Sequence, residues 1–216
     1  MAFQYSQELI TQVSQLIQQN DEQGIIDLLK DLHYADIAEI LDELNAYEAT
    51  YVFNSLDTEI TSEILLELDE DVREKILKSL SAKEIANELI ELDSDDATDI
   101  ISELSDERIK EVISEIDDDE HAKDIVELLR YDEDSAGGLM AKELVKVNEN
   151  WNVLTCVKEM RAQAEEVSRI HSIYVVDDYD KLIGRLSLKD LLTTSTRTPI
   201  KDIYIPKVDF VRVDDS

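Results

Sequence analysis

The chain has one cysteine, Cys156, among 216 residues, so no internal disulfide is possible and a reducing compartment is expected. Cations are scarce: 21 Lys+Arg stand against 52 Asp+Glu, a net charge of −31. A surface of that sign repels DNA, RNA and anionic lipid head groups. This argues against nucleic acid as a partner and leaves basic proteins and metal ions. Long apolar runs are missing. No stretch approaches the ~18 residues of a membrane span. The opening MAFQYSQELI lacks the basic and apolar regions of a signal peptide. His33, His121 and His171 are scattered without zinc-type spacing. No nucleophile–base pairing and no Walker-type phosphate loop occurs, so nothing supports an enzyme. Glycine is scarce as well. Two of only four glycines stand side by side, Gly137 and Gly138 in YDEDSAGGLM, and that placement needs a reason.

The charges that are present lie unevenly. Residues 1–134 hold 39 Asp+Glu against 9 Lys+Arg, a net of −30, while residues 135–216 hold 13 against 12, a net of −1. The length suits one large domain or two small ones, and the break in charge argues for two with different tasks. Hydrophobic residues make up 43% of the chain and recur at regular positions, so the acidic half is not disordered.

That recurrence has a period of twelve. One series runs Leu32, Leu44, Leu56, Leu68, Leu80, Leu92, Leu104, Ile116, Leu128, and a second runs Leu29, Leu41, Phe53, Leu65, Leu77, Leu89, Ile101, Ile113, Ile125. The residue after each member of the first series is His33 and then Asn45, Asp57, Asp69, Ser81, Asp93, Ser105 and Asp117; all but His33 are helix N-cap types. Ser81 with Glu84, Asp93 with Asp96 and Asp117 with Glu120 have the spacing of a capping box. Each unit reads as a cap, about two turns of helix and a closing leucine. Helices that short are unstable alone, so they are expected to stack as a superhelical solenoid. A few longer helices with misread caps are the other arrangement; either way this half is all-α.

After Leu139 the pattern changes. Residues 143–147, ELVKV, read as a strand. Val153, Cys156, Val157 and Met160 fall on one face of a helix, which makes Cys156 a core residue rather than a reactive one. Strands over Ile173–Val176 and Leu182–Leu188 flank the turn DDYD, and a second helix starts near SLKDLL. The order is β-α-β-β-α, an α+β unit.

This order, with GRLSLKDL at residues 184–191, resembles a CBS domain. The resemblance implies that Ser187 and Asp190 meet the phosphate and ribose of an adenine nucleotide, with Gly184 permitting close backbone approach. Ser187 also suits a plain helix N-cap. Over nearly the whole chain, the acidic helical half, YDEDSAGGLM, IYVVDDYDKLIGRLSLKDLL and PKVDFVRVDDS resemble the cytosolic region of MgtE-family magnesium transporters. The resemblance implies a helical N-terminal domain at residues 1–134, a CBS domain at 135–200 and the start of a truncated second CBS domain at 201–216. It implies a homodimer formed through CBS domains, and a transmembrane pore in the full-length protein at the cytoplasmic face of the membrane.

It also implies a Mg2+ site at the main-chain oxygen of Gly138, at Asp95 and Asp99 in DSDDATD and, by register, at Glu63. Asp95 and Asp99 are i, i+4 and share a helix face. Magnesium keeps several waters and is usually held by only one or two carboxylates, so such a site needs no His or Cys. The glycine pair is expected to serve as a left-handed helix C-cap and hinge that also exposes a carbonyl. A nucleotide-sensing or protein-docking module without a metal role is the alternative function.

Overall fold

In the computed structural model, the described residues are 7–164, 167, 170 and 172–215; His171 lies outside them. They form two compact units. One comprises residues up to Leu92 with Asp96–Leu129, the other Asp93–Asp95 with Arg130 onward.

The first unit is all-α. Its helices are α1 (Gln7–Gln19), α2 (Glu22–Leu29), α3 (Tyr34–Asp42), α4 (Ala46–Ser55), α5 (Thr58–Glu67), α6 (Glu70–Ser79) and α7 (Ala82–Ile90). After them come α8 (Ser94–Ser102), whose Ser94 and Asp95 are counted with the other unit, α9 (Asp106–Glu115) and α10 (Asp119–Leu128). The expected caps account for most of the starts. Asn45 accepts from the backbone N–H of Tyr47 and Glu48, and Ser105 accepts from Arg108. Ser81 and Glu84 form a complete capping box. His33, the exception among cap types, also caps its helix, with Nδ1 accepting from Ala35 N–H at 3.4 Å. Asp57 and Asp69 sit at N-cap positions without a side-chain bond. At α6 the carboxylate of Asp42 accepts the Asp69 N–H instead, at 3.2 Å. At α10 the cap moves by one residue: Asp118, not Asp117, accepts from Glu120 and His121.

The closing leucines Leu44, Leu68, Leu80 and Leu92 are buried, as are Leu29, Leu41, Phe53, Leu65, Leu77, Leu89, Ile101 and Ile125. Leu32, Leu56, Leu104 and Ile113 pack against this core half-buried. Neighbours in space are alternate helices. α2, α4 and α6 form one row, and α3, α5, α7 and α9 another. The sequence repeats every twelve residues, but the stacking unit is a helix pair.

The second unit is the α+β one. β1 (Val145–Asn148) runs parallel to β2 (Ile173–Val176), and β2 runs antiparallel to β3 (Leu182–Leu186), in the order β1-β2-β3. α11 (Val153–Gln163) makes the crossover, capped by the Asn152 side chain accepting from Thr155 N–H at 2.9 Å. β1 begins two residues later than expected. β3 stops at Leu186 because Ser187 caps α12 (Leu188–Thr193). In the β2–β3 turn Asp177 accepts from Tyr179 and Lys181 N–H, and Asp180 adopts φ 60°. The sheet buries Val145, Val147, Ile173, Val175 and Leu186 against Val153, Cys156 and Met160 of α11. Burial pushes the Cys156 thiol up to about 11, so it is an inert core group.

Leu80 is 6% exposed at a closing position. Leu80→Ala is expected to lower unfolding free energy by roughly 2–5 kcal/mol in denaturant titration. A loss below about half a kcal/mol would mean the closing leucines do not hold the stack.

Candidate functional site

The residues implicated in cation binding lie on three local frames. Glu63 is half-buried on α5, in a helix that carries buried Ile64 and Leu65 beside it. Asp95 and Asp99 are one turn apart on α8, Asp95 half-buried and Asp99 exposed. Among the described residues, no three His, Cys, Asp or Glu side chains converge closely enough to hold a metal ion by themselves. The local donor sets are carboxylates on helix faces and a main-chain oxygen. These fit a hydrated magnesium ion, which needs few direct protein ligands, better than a dehydrated one.

Gly138 belongs to a compact turn. Ser135 N–H and Oγ–H both donate to Asp132 O, at 2.9 and 2.7 Å, and Gly138 N–H donates to Ser135 Oγ at 3.2 Å. Gly137 N–H donates to Val213 O at 2.9 Å. Among the described residues, no donor reaches the Gly138 carbonyl. The expected left-handed C-cap is not what the glycines provide. α10 ends at Leu128, and no described glycine has positive φ. Space is the reason for the pair. A Cβ on Gly137 would lie 2.6 Å from the Tyr131 ring, and one on Gly138 would collide with the backbone oxygen of Asp132.

In the α+β unit Ser187 accepts from the Asp190 N–H at 3.4 Å, so its hydroxyl serves as the N-cap of α12. Asp190 is exposed in the first turn of that helix. The close approach at Gly184 is internal: a Cβ there would strike the Tyr204 ring and lie 2.5 Å from Ile205 O. Arg185 and Ile205 exchange both backbone hydrogen bonds, at 3.0 and 2.8 Å, which holds this segment against β3.

Comparison with known proteins accounts for both units. Residues 32–134 match the MgtE intracellular N domain and residues 136–196 match the CBS domain. The chain also aligns with a crystal structure of the cytosolic domain of the Mg2+ channel MgtE in complex with ATP. That match covers 95% of this chain and 84% of the other, at 30% identity and a TM-score of 0.86. The chain belongs to the MgtE family. A crystal structure of the soluble part of a magnesium transporter matches at 25% identity and a TM-score of 0.78, over 96% of this chain and 82% of the other. The magnesium transporter MgtE of Thermus thermophilus is 43% identical over 91 residues, 42% of this chain and 20% of that protein. The Enterococcus faecalis magnesium transporter MgtE is 36% identical over 94 residues, 44% of this chain and 21% of that protein. The matched part thus spans about a fifth of these relatives. Among the described residues of this MgtE-family chain, no helix is long and apolar enough to cross a membrane.

One group of polar residues carried no motif. Glu88 on α7 is buried and accepts from Thr61 Oγ–H on α5 at 2.8 Å. Its signal lay in a different register of the twelve-residue repeat, where an apolar series is interrupted.

Gly138→Ala leaves every carbonyl in place but drives a methyl group into the Asp132 backbone. It is expected to lower the stability of the α+β unit by roughly 1–3 kcal/mol, read by thermal or denaturant unfolding. An unchanged midpoint would mean the turn relaxes freely and the glycine has another purpose.

Proposed function

We propose that this chain is the cytosolic magnesium-sensing region of a magnesium transporter, regulatory rather than catalytic, which closes the pore when intracellular Mg2+ bridges acidic residues between its domains. The observation that carries the reading is the match over 95% of the chain to the cytosolic domain of a Mg2+ channel. The charge distribution supports it. A helical unit with a net charge near −30 repels itself and other anionic surfaces when no cation is bound. Divalent ions held between carboxylates and carbonyls reverse that repulsion.

In this reading Asp95, Asp99, Glu63 and the Gly138 carbonyl contribute oxygens to hydrated Mg2+. Each weak site adds only about 2.7 kcal/mol at a hundred times its dissociation constant, so several act together to throw the switch. Residues 1–134 form the sensing domain and 135–200 a CBS domain, with 201–216 beginning a second one. The CBS part pairs with a second copy. The exposed Leu188 and Leu192 of α12, one turn apart, are the kind of apolar surface a partner covers. The full-length protein places this region at the cytoplasmic face of the membrane, beneath a transmembrane pore.

A second, compatible reading has its own observation: the structural relative is in complex with ATP. Here an adenine nucleotide would meet the CBS unit near Ser187 and Asp190. Asp190→Ala should then weaken ATP binding in calorimetry several-fold while leaving the magnesium response intact; no heat of ATP binding would remove this role.

The sensing reading is tested by small-angle scattering and limited proteolysis with and without millimolar Mg2+, against NaCl of equal ionic strength. Magnesium is expected to reduce the radius of gyration and to protect the segment around Gly137 and Gly138. Asp95→Asn with Asp99→Asn should blunt that response and make the magnesium-free form more compact. Equal effects of Mg2+ and Na+ would show the acids to be a solvated surface only.

A further inference from the structure

The twelve-residue period contains a third series. Ile40, Val52, Ile64, Ile76, Ile100 and Val112 share one register and are all between 0% and 2% exposed. Glu88 occupies the place between Ile76 and Ile100 and is itself only 7% exposed. A fourth register holds the buried Ile37, Ala49, Ile85 and Ala97, with Thr61, 1% exposed, and the half-buried Arg73 as its polar members between Ala49 and Ile85. Thr61 and Glu88 meet each other, with Thr61 Oγ1 and Glu88 Oε2 at 2.8 Å. Beside them the buried Ser62 hydroxyl has no partner among the described residues. Ile76 and Ile100 on either side of Glu88 show that an apolar side chain fits its place. Burying a carboxyl there is unfavourable, and a sequence that breaks its own core rule does so where function requires it.

The hydrogen bonds limit the charge Glu88 can carry. Thr61 has one hydroxyl proton and three acceptors in reach: Asp57 O and Thr58 O, each at 3.3 Å, and Glu88 Oε2. A neutral Glu88 donates its own proton to Thr61 Oγ1 and leaves the threonine proton for the backbone. An ionised Glu88 must take the threonine proton, and among the described residues no cation is paired with it. The charged residues of α5, packed on one side, are Glu59, Glu63 and Glu67, all acidic. On the other side α9 offers Lys110, which is exposed, and Arg108, which is bound to Glu111 and Leu80 O. Its acids Asp106, Glu107, Glu111 and Glu115 are exposed. From α10, His121 Nε2 is held by Leu89 O at 2.9 Å. On α7 itself Lys83 is committed to Asp117, Glu84 to the Ser81 cap, and Glu91 beyond its end repels Glu88.

We propose that Glu88 is a proton-operated latch between α5 and α7, holding the two helices together when protonated and loosening them when ionised. Burial pushes its carboxyl from the ordinary 4.5 up to about 7, against the opposing bond from Thr61, so the latch works toward neutral pH. A folded-state acid raised in this way confers stability that is fully present below 4.5. That contribution declines as pH rises to about 7 and is lost above it.

The test is thermal unfolding of the whole chain in chelator from about pH 5 to 8.5, for wild type, Glu88→Gln and Glu88→Ile. The wild-type midpoint should fall relative to both variants by several degrees up to about pH 7.5, and the difference should then level off. Protection factors of the α5 and α7 amides, taken against the intrinsic exchange rate at each pH, should fall over the same interval in wild type alone. A difference that stays constant with pH would overturn the latch and leave a plain buried polar pair. Should Glu88→Gln not fold, Glu88→Ile carries the same comparison, since it restores the apolar register. Carboxyl carbon NMR of wild type decides independently: a Glu88 midpoint near 7 supports the latch, and one near 4.5 overturns it. No magnesium is present in these measurements, so the latch stands or fails apart from the sensing function.

Discussion

Short helices leave a large share of their carbonyls without intrahelical partners, and this chain has few donors with which to answer them. Its acids solve the amino ends easily, since carboxylates and hydroxyls accept from first-turn N–H groups. The carboxyl ends need cations, and residues 1–134 hold only 9 Lys+Arg. Several are used on this task. Arg73 donates to Leu65 O and Leu68 O at the end of α5, Arg108 to Leu80 O at the end of α6, and Lys83 to Glu115 O at the end of α9. His121 meets Leu89 O at the end of α7. The Arg and Lys side chains among these also complement the negative end of a helix dipole. Apart from the local Arg73 bonds, they reach two or three helices along the chain: Lys83 joins α7 to α9 within one row, and Arg108 of α9 reaches the end of α6 in the other.

This use of cations has an electrostatic consequence. Arg73 is half-buried and also engages Glu103 at 2.6 Å, and Lys83 engages Asp117 at 2.7 Å. With 39 Asp+Glu to 9 Lys+Arg in residues 1–134, acids far outnumber the basic side chains that could pair with them. The acidic unit is folded in spite of its charge, by a continuous apolar interior, and its surface carries a surplus of carboxylates. The proposed magnesium response draws on that surplus, because a hydrated divalent ion needs only loosely placed oxygens. Glu88 differs in kind: its charge is inside, and a proton rather than a metal ion governs it.

Part of the fold is legible in the residues alone. The two apolar series locate the core, and Ser81 with Glu84 announces a capping box that is formed. The strand at Ile173–Val176 is placed to the residue. Other features are not legible because they depend on neighbours distant in the chain. His33 reads poorly as a cap, yet its ring nitrogen serves as one. The cap of α10 is Asp118 rather than the expected Asp117, a shift of one residue that a run of acids hides. The glycine pair suggests left-handed backbone, whereas the requirement is room beside Tyr131 and Asp132. Ser187 and Asp190 look alike as nucleotide contacts or as a cap; their local bond is a cap bond, and the site they could serve lies in chemistry beyond it.

The sequence by itself determined a stack of short helices followed by an α+β unit, because periodicity and capping are local and are written in neighbouring residues. Tertiary structure alone decided that alternate helices pair, so that a twelve-residue code builds a two-helix repeat. It alone brought Thr61 to Glu88 across 27 positions. The physical reason is that burial and desolvation depend on what lies across the contact: a glutamate one turn beyond a capping box reads as surface until the helix it faces removes water from it.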